Sequence, residues 1–208
     1  MSRILVTGGA GFLGCVLVEQ LLGWGHEVTA LDDFRYNQTG LSAFCRYPSL
    51  KIIRGDCRDE RLIVRLVRGF DFVFPLAAIV GAPACDINPN DAWSINCQAI
   101  KMLLSLCYDQ RVIFPTTNSG YGIGGEDLCT EDFPLNPISI YGKTKCEAEE
   151  AVLAYGNSVV FRLATAFGTS PRMRFDLLVN DFTRRAIRDR AVILFQPEFR
   201  RNFVHVRD

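Results

Sequence analysis

Short apolar runs alternate with amphipathic segments along most of the chain. Runs rich in β-branched and aromatic side chains are typical of buried strands, and they lie at residues 3–6, 27–31, 50–53, 70–74, 111–114 and 158–161. Hydrophobic residues recur at helical spacing between them, at residues 12–22, 58–67, 92–108 and 141–155. Because each crossover between parallel strands needs a covering helix, this alternation predicts an α/β fold: a doubly wound parallel sheet with helices on both faces.

The pattern changes in the last forty or so residues of the chain. It predicts a helix at residues 175–188 and strands at 191–195 and 203–206. We therefore expect residues 1–165 to form one domain and residues 166–208 to begin a second region. Since a parallel sheet seldom ends on an unpaired strand, we also expect the chain to be incomplete at its C-terminus.

The composition of the chain indicates which kinds of partner and which cellular compartment to expect. The 208 residues include 23 basic and 23 acidic ones, so no net charge favours nucleic acid or a membrane surface. The eight cysteines contain no C-x-x-C pair, which argues against a metal site, and without a signal peptide they predict a reducing, cytoplasmic location. No run approaches the roughly 20 apolar residues of a membrane span.

A glycine-rich loop, TGGAGFLG, follows the first predicted strand at residues 7–14. Its glycines allow a tight turn and a close approach of backbone N–H groups to a pyrophosphate at the start of a helix, which predicts a Rossmann-type dinucleotide site. The residues predicted to contact the cofactor here are Gly8, Gly11, Phe12, Leu13 and Gly14. No Gly-Lys-Ser/Thr follows the loop, which excludes a P-loop NTPase.

An acidic residue, Asp32, ends the second predicted strand. A carboxylate there accepts hydrogen bonds from the adenosine ribose and repels a 2′-phosphate, so we predict NAD as the cofactor. Arg35 lies close enough in sequence to accept a 2′-phosphate, which keeps NADP open. Further residues at the ends of successive strands are predicted to contact the cofactor: Asp33, Asp56, Cys57, Leu76, Ala77 and Ala78.

Tyr141 and Lys145 form a Tyr-x-x-x-Lys pair at the start of a predicted helix. Residues at i and i+4 share one helical face, so the Lys145 ammonium is expected to stabilise the Tyr141 phenolate and lower its pKa. A phenolate is a suitable general base for a sugar hydroxyl. Thr117, at the end of the preceding strand, completes a predicted catalytic set of three residues.

Together these motifs resemble the extended short-chain dehydrogenase/reductase family, and within it the nucleotide-sugar epimerases and dehydratases. The resemblance spans essentially the whole sequence and implies that Tyr141 and Lys145 also contact NAD, as does Asn96. It implies a homodimer formed through the helices at 92–108 and 141–155. The set implied to bind the nucleotide sugar is Asn118, Ser119, Thr165, Arg174, Asn180 and Arg201.

Departures from the family pattern narrow the reaction. Dehydratases of the family have Asp-Glu where this chain has Asn118 and Ser119, so 4,6-dehydration lacks its acid and base. The family commonly has Asn at position 165 and Asp at position 202, where this chain has Thr165 and Asn202. Both changes lie near the expected substrate.

The stretches 80–85, 117–124 and 161–182 resemble one branch of the family, the GDP-heptose 4-dehydrogenases of bacterial surface-polysaccharide biosynthesis. That resemblance implies oxidation of C4 of a GDP-linked heptose with tightly held NAD. A nucleotide-sugar C4 epimerase begins with the same step and stays open, as does, more remotely, a non-catalytic NAD-binding sensor.

Overall fold

The computed structural model describes residues 1–123 and 129–208. Six parallel strands form one sheet in the order β3-β2-β1-β4-β5-β6. They are β1 (Arg3–Thr7), β2 (Glu27–Asp32), β3 (Leu50–Arg54), β4 (Phe72–Pro75), β5 (Arg111–Thr117) and β6 (Ser158–Leu163). The doubly wound parallel sheet predicted from the apolar runs is confirmed.

Seven α-helices connect or follow these strands in the described part of the chain. They are α1 (Phe12–Gly23), α2 (Glu60–Val67), α3 (Ala82–Ile87), α4 (Pro89–Trp93), α5 (Ala99–Leu106), α6 (Ile140–Tyr155) and α7 (Leu178–Arg188). A single π-helical turn, Ser94–Gln98, joins α4 to α5, so the helix predicted at 92–108 consists of three consecutive pieces. None of the described helices is long and apolar enough to cross a membrane.

Alternation along the strands places hydrophobic side chains on both faces of the sheet. On β1, Ile4 and Val6 pack with the buried residues of α1, whereas Leu5 packs on the opposite side with Ile63 of α2 and Leu103 of α5. Successive side chains of a strand point to opposite faces, so a continuous apolar strand is buried on both sides. The sheet is therefore packed between two layers of helices, which hold the carboxyl ends of its strands in place.

The final part of the chain forms a separate two-stranded parallel sheet, β7 (Thr165–Phe167) with β8 (Phe203–His205). The strand predicted at 191–195 is wrong. That segment is without regular structure, and Ile193 and Phe195 are 73% and 87% exposed. Among the described residues no strand pairs with this apolar run. The neighbouring strand β7 pairs with β8 instead. The division of the chain after residue 165 stays a prediction.

Candidate active site

A cavity of about 720 Å³ lies at the carboxyl ends of the sheet strands. Loops after β1, β2, β3, β4 and β5 line it, together with the start of α6 and part of the region that follows β6. This edge is where open parallel sheets bind ligands, since their loops diverge there and leave a crevice. Most of the residues that the sequence nominated lie on this lining.

The glycine loop brings backbone against backbone at the start of α1. Gly8 has φ +72°, and a Cβ placed on it would lie 2.6 Å from the Ala77 nitrogen. Gly11 precedes α1 in an extended conformation, and neither a capping side chain nor an acidic residue occupies its first turn. Because Gly11, Phe12 and Leu13 line the cavity, the N-terminal end of α1 faces it. This arrangement fits the diphosphate of a dinucleotide.

Asp32 is 8% exposed and forms part of the cavity lining at the end of β2. Its Oδ2 accepts a hydrogen bond from the Ala10 nitrogen at 3.0 Å, and its Oδ1 accepts one from the Phe34 nitrogen at 2.9 Å. Burial raises the pKa of the carboxyl, and the two backbone donors oppose that shift. The acid is thus fixed beside the glycine loop, as its sequence position indicated.

Two further acidic residues on the cavity wall are paired with arginines. Arg35 Nε donates to Asp33 at 2.7 Å, and Arg58 Nη2 contacts Asp56 at 2.6 Å. The Arg58 guanidinium holds the pKa of Asp56 below its usual range. Since Arg35 is engaged by a neighbouring carboxylate, its charge is locally compensated. The pairing therefore weakens the argument that Arg35 binds a 2′-phosphate.

Thr117, Ser119 and Tyr141 meet on the same wall of the cavity. The hydroxyls of Thr117 and Ser119 are 3.1 Å apart, and Thr117 Oγ1 accepts from the Ser119 nitrogen at 3.1 Å. Burial raises the pKa of Tyr141 to about 12, with the Thr117 side chain and the Arg174 guanidinium acting in the opposite direction. The structure thus brings the predicted hydroxyl and phenol into one site.

Lys145 lies one helical turn after Tyr141 and is buried. Its Nζ donates to the Pro115 carbonyl at 2.8 Å and lies 3.9 Å from the centroid of the Phe114 ring. Burial lowers the pKa of Lys145 to about 7, opposed by the carboxylate of Glu149. Burial is the main cause of the Tyr141 pKa shift and the Lys145 ammonium donates to a backbone carbonyl, so the lowering of the Tyr141 pKa by Lys145 stays a prediction.

Two predicted site residues lie outside the cavity lining. Asn96, in the π-helical turn, accepts from the Ile79 nitrogen at 2.8 Å and donates to the Ile79 oxygen at 2.9 Å. Asn180 accepts from the Gly168 nitrogen and donates to the Arg174 oxygen, both at 3.0 Å. Each amide is used to hold a backbone segment that reaches the cavity.

The remaining candidates for substrate contact lie on the lining as predicted: Asn118, Ser119, Thr165, Arg174 and Arg201. Asn118 Nδ2 donates to Asn202 Oδ1 at 2.7 Å, so two of the departures from the family pattern contact each other. Arg174 pairs with Asp176. Asp176 lies on the same part of the described lining, where its carboxylate is taken up by Arg174.

Several cavity residues were not singled out as site residues by the sequence, and Tyr36, Gln38 and Arg172 are three polar ones among them. Tyr36 and Gln38 follow Asp32 in the loop after β2, and Arg172 lies over the Tyr36 ring, 5.4 Å from its centroid. The polar composition of residues 32–38 was the available signal for the first two. Arg172 lies two residues before Arg174, and this basic sequence was the available signal for it.

Comparison with known proteins identifies related chains. The family model described as "NAD dependent epimerase/dehydratase family" matches residues 4–208. A Bacillus subtilis protein named as an uncharacterized UDP-glucose epimerase is 31% identical over 99% of this chain and 69% of its own length. A UDP-glucose 4-epimerase of Corynebacterium glutamicum is 34% identical over 80% of this chain, which spans 48% of that relative.

A solved structure shares the arrangement of the backbone. The UDP-glucuronic acid 4-epimerase of Bacillus cereus, in complex with UDP-glucuronic acid and NAD, superposes with a TM-score of 0.86 at 26% identity. The match covers 98% of this chain and 69% of that one. The cavity described above thus lies in a fold that holds NAD and a nucleotide sugar in a related protein.

Proposed function

The chain belongs to the NAD-dependent epimerase/dehydratase family of enzymes, and on this premise we propose that it oxidises C4 of a nucleotide-linked sugar. The observation that carries the proposal is the meeting of Thr117, Tyr141 and Lys145 on the cavity that also contains the glycine loop. A hydroxyl, a phenol and an ammonium in one buried site can hold a sugar hydroxyl and move its proton.

Each of the three residues has a distinct proposed role. Tyr141 removes the proton from the C4 hydroxyl, and Thr117 aligns that hydroxyl by hydrogen bonding. Lys145, when protonated, stabilises the phenolate, because an opposite charge nearby favours the ionised form. NAD, when bound, accepts the hydride from C4. Burial of Tyr141 and Lys145 excludes water from the proton transfer.

The proposed cofactor contacts are the glycine loop, Asp32, Asp33, Asp56 and residues 76–78, which all line the cavity. Cys57 also lies there, and the two catalytic side chains on α6 complete the set. Asp32 beside the loop and the compensated charge of Arg35 support NAD rather than NADP. Asn96 is proposed to act indirectly, by fixing the loop after β4.

A C4 epimerase is the form of this reaction that the related proteins support best. The Corynebacterium glutamicum and Bacillus cereus relatives are both named 4-epimerases of UDP sugars. In such a reaction the 4-keto sugar turns over and receives the hydride on its other face. The substitution of Asn118 and Ser119 for the Asp-Glu of dehydratases supports epimerisation or simple oxidation over loss of water.

A GDP-heptose 4-dehydrogenase is the second candidate. The resemblance of residues 80–85 to that branch supports it. The resemblance of residues 117–124 and 161–182 to that branch supports the same choice, although residues 124–128 lie outside the described part of the chain. The two candidates differ in product: an epimer, or a 4-keto sugar with NADH.

We also infer a cytoplasmic homodimer with α6 and the 92–108 segment at its interface. The apolar side chains of Leu153 on α6 and Tyr108 at the end of the 92–108 segment are exposed, which supports a contact surface on these helices. Light scattering of the purified protein measures the association state. A monomer at micromolar concentration would contradict this inference.

The test incubates the purified protein with NAD and, separately, UDP-glucose, UDP-glucuronic acid and GDP-linked heptose. NMR of the products distinguishes an epimer from a 4-keto sugar. Tyr141→Phe should retain NAD binding and lose turnover by about a hundredfold or more, since it lacks the general base. Tyr155→Phe is the matched control, because Tyr155 lies on the same helix and donates to the Gln110 carbonyl. Equal turnover of Tyr141→Phe and wild type would refute the assignment.

A further inference from the structure

Gln38 is the side chain that completes the environment of Asp32. Its Nε2 donates to Asp32 Oδ1 at 2.9 Å, and its Oε1 accepts from the Tyr36 nitrogen at 3.1 Å. One amide therefore connects the acid at the end of β2 with the backbone of the loop that follows it. Both Gln38 and Asp32 line the cavity.

The loop that carries Gln38 is backbone-strained. Phe34 and Asn37 have φ values of 56° and 50°, in the left-handed region that residues with side chains seldom adopt. Such conformations persist only where surrounding contacts enforce them. The contacts present are the two hydrogen bonds of Gln38, the bond from the Phe34 nitrogen to Asp32, and the Asp33 and Arg35 pair.

Counting acceptor positions shows what the carboxylate of Asp32 still offers. Each oxygen of an ionised carboxylate can accept two hydrogen bonds. Oδ1 accepts from Phe34 and from Gln38, and Oδ2 accepts from Ala10, in the part of the chain that the structure describes. Oδ1 is therefore fully used, and Oδ2 keeps one acceptor position. The Nε2 amide of Gln38 carries a second N–H in addition to the one donated to Asp32 Oδ1.

We propose that Gln38 is a positioning residue for NAD specificity: its amide holds Asp32 so that one carboxylate oxygen and its negative charge face the 2′-hydroxyl of the adenosine ribose. The inference rests on the proposed cofactor role of Asp32. A ribose hydroxyl can donate to that oxygen. A 2′-phosphate would instead meet the charge of Asp32 with no freedom for the carboxylate to turn away.

The arginines at this end of the cavity are engaged by neighbouring groups. Asp33 lies next in sequence and is paired with Arg35 at 2.7 Å. Arg172 is the other cation at this end of the cavity, and its Nη1 donates to the Met173 oxygen while its guanidinium lies over Tyr36. Gln38 therefore holds the carboxylate of Asp32 in place while that carboxylate accepts from the Ala10 nitrogen of the glycine loop.

The test measures dissociation constants of NAD and NADP for the purified full chain by isothermal titration calorimetry. Gln38→Leu removes the donor at similar volume. We expect about a tenfold weaker NAD affinity, since a hydrogen bond to a charged group is lost, and a smaller ratio between the NADP and NAD constants because the carboxylate can rotate. Gln20→Leu is the matched control, an equivalent change on α1 outside the cavity lining.

Three results would overturn the inference. An NAD constant within twofold of wild type would show that Gln38 does not position Asp32. A parallel loss for both dinucleotides would show a purely structural role. If Gln38→Leu fails to fold, Gln38→Glu is measured instead, because it keeps the acceptor for the Tyr36 nitrogen and places a second carboxylate against Asp32. An NAD dissociation constant of Gln38→Glu equal to that of wild type is the third result that would overturn the inference. A wild-type chain that binds neither dinucleotide would refute the proposed function as well.

Discussion

Lys145 should make stability depend on pH in a way that a single substitution can isolate. Its ammonium is buried, and burial lowers its pKa from 10.5 to about 7. In the unfolded chain the same group stays protonated up to its ordinary value. Between pH 7 and 10.5 the unfolded state therefore binds one more proton than the folded state, so stability rises with pH across this window.

The magnitude follows from that window. Each pH unit is worth about 1.4 kcal/mol for one proton, so below pH 7 the buried ammonium costs about 5 kcal/mol relative to a neutral side chain. Lys145→Met removes this cost but also removes the hydrogen bond to Pro115 and the contact with the Phe114 ring. Those losses amount to about 3 kcal/mol. We expect the variant to be about 2 kcal/mol more stable than wild type below pH 7.

The advantage of Lys145→Met should shrink by about 1.4 kcal/mol per pH unit above pH 7 and reverse above about pH 8. The assay is urea unfolding of both proteins between pH 6 and 9.5. Cys15 and Cys57, whose pKa values burial raises to about 12, affect both proteins equally and cancel in the difference. Lys143→Met, at an exposed position on α6, is the control and should show no pH-dependent difference. A pH-independent difference between Lys145→Met and wild type would refute the reasoning.

Three further predictions concern the supports of the site. Gly14→Ala should abolish NAD binding measured by calorimetry, because its methyl group would overlap the loop backbone, whereas Gly23→Ala, which points into open space, should bind NAD normally. Asn96→Leu should lower the free energy of urea unfolding by about 2–4 kcal/mol, since it leaves buried backbone groups unpaired; a loss under 0.5 kcal/mol would contradict this. Glu149→Leu should cost about 3–5 kcal/mol by leaving the Arg162 guanidinium without its buried partner, and the double variant with Arg162→Leu should recover part of that loss. No recovery would show that the pair is not coupled.

Patterns within short stretches of sequence predicted the parts of the protein that local physics determines. The continuous apolar run of β1 predicted a strand buried on both faces, and the helical spacing of apolar residues predicted α6, because side-chain direction follows directly from backbone geometry. The glycine pattern predicted the tight turn at the start of α1 for the same reason. The position of Asp32 at the end of a strand predicted its place beside that turn. The run at 191–195 shows the limit, since a strand also needs a partner and that partner lies elsewhere in the chain.

The sequence by itself determined the fold class, the glycine loop and the identity of the Thr117, Tyr141 and Lys145 set. Only the tertiary structure decided how deeply Lys145 is buried, and that burial, opposed by the Glu149 carboxylate, lowers its pKa. It also decided that the Gln38 amide donates a hydrogen bond to the Asp32 carboxylate. Charge and hydrogen bonding depend on which atoms lie within a few ångströms, and spacing along a chain does not specify those distances.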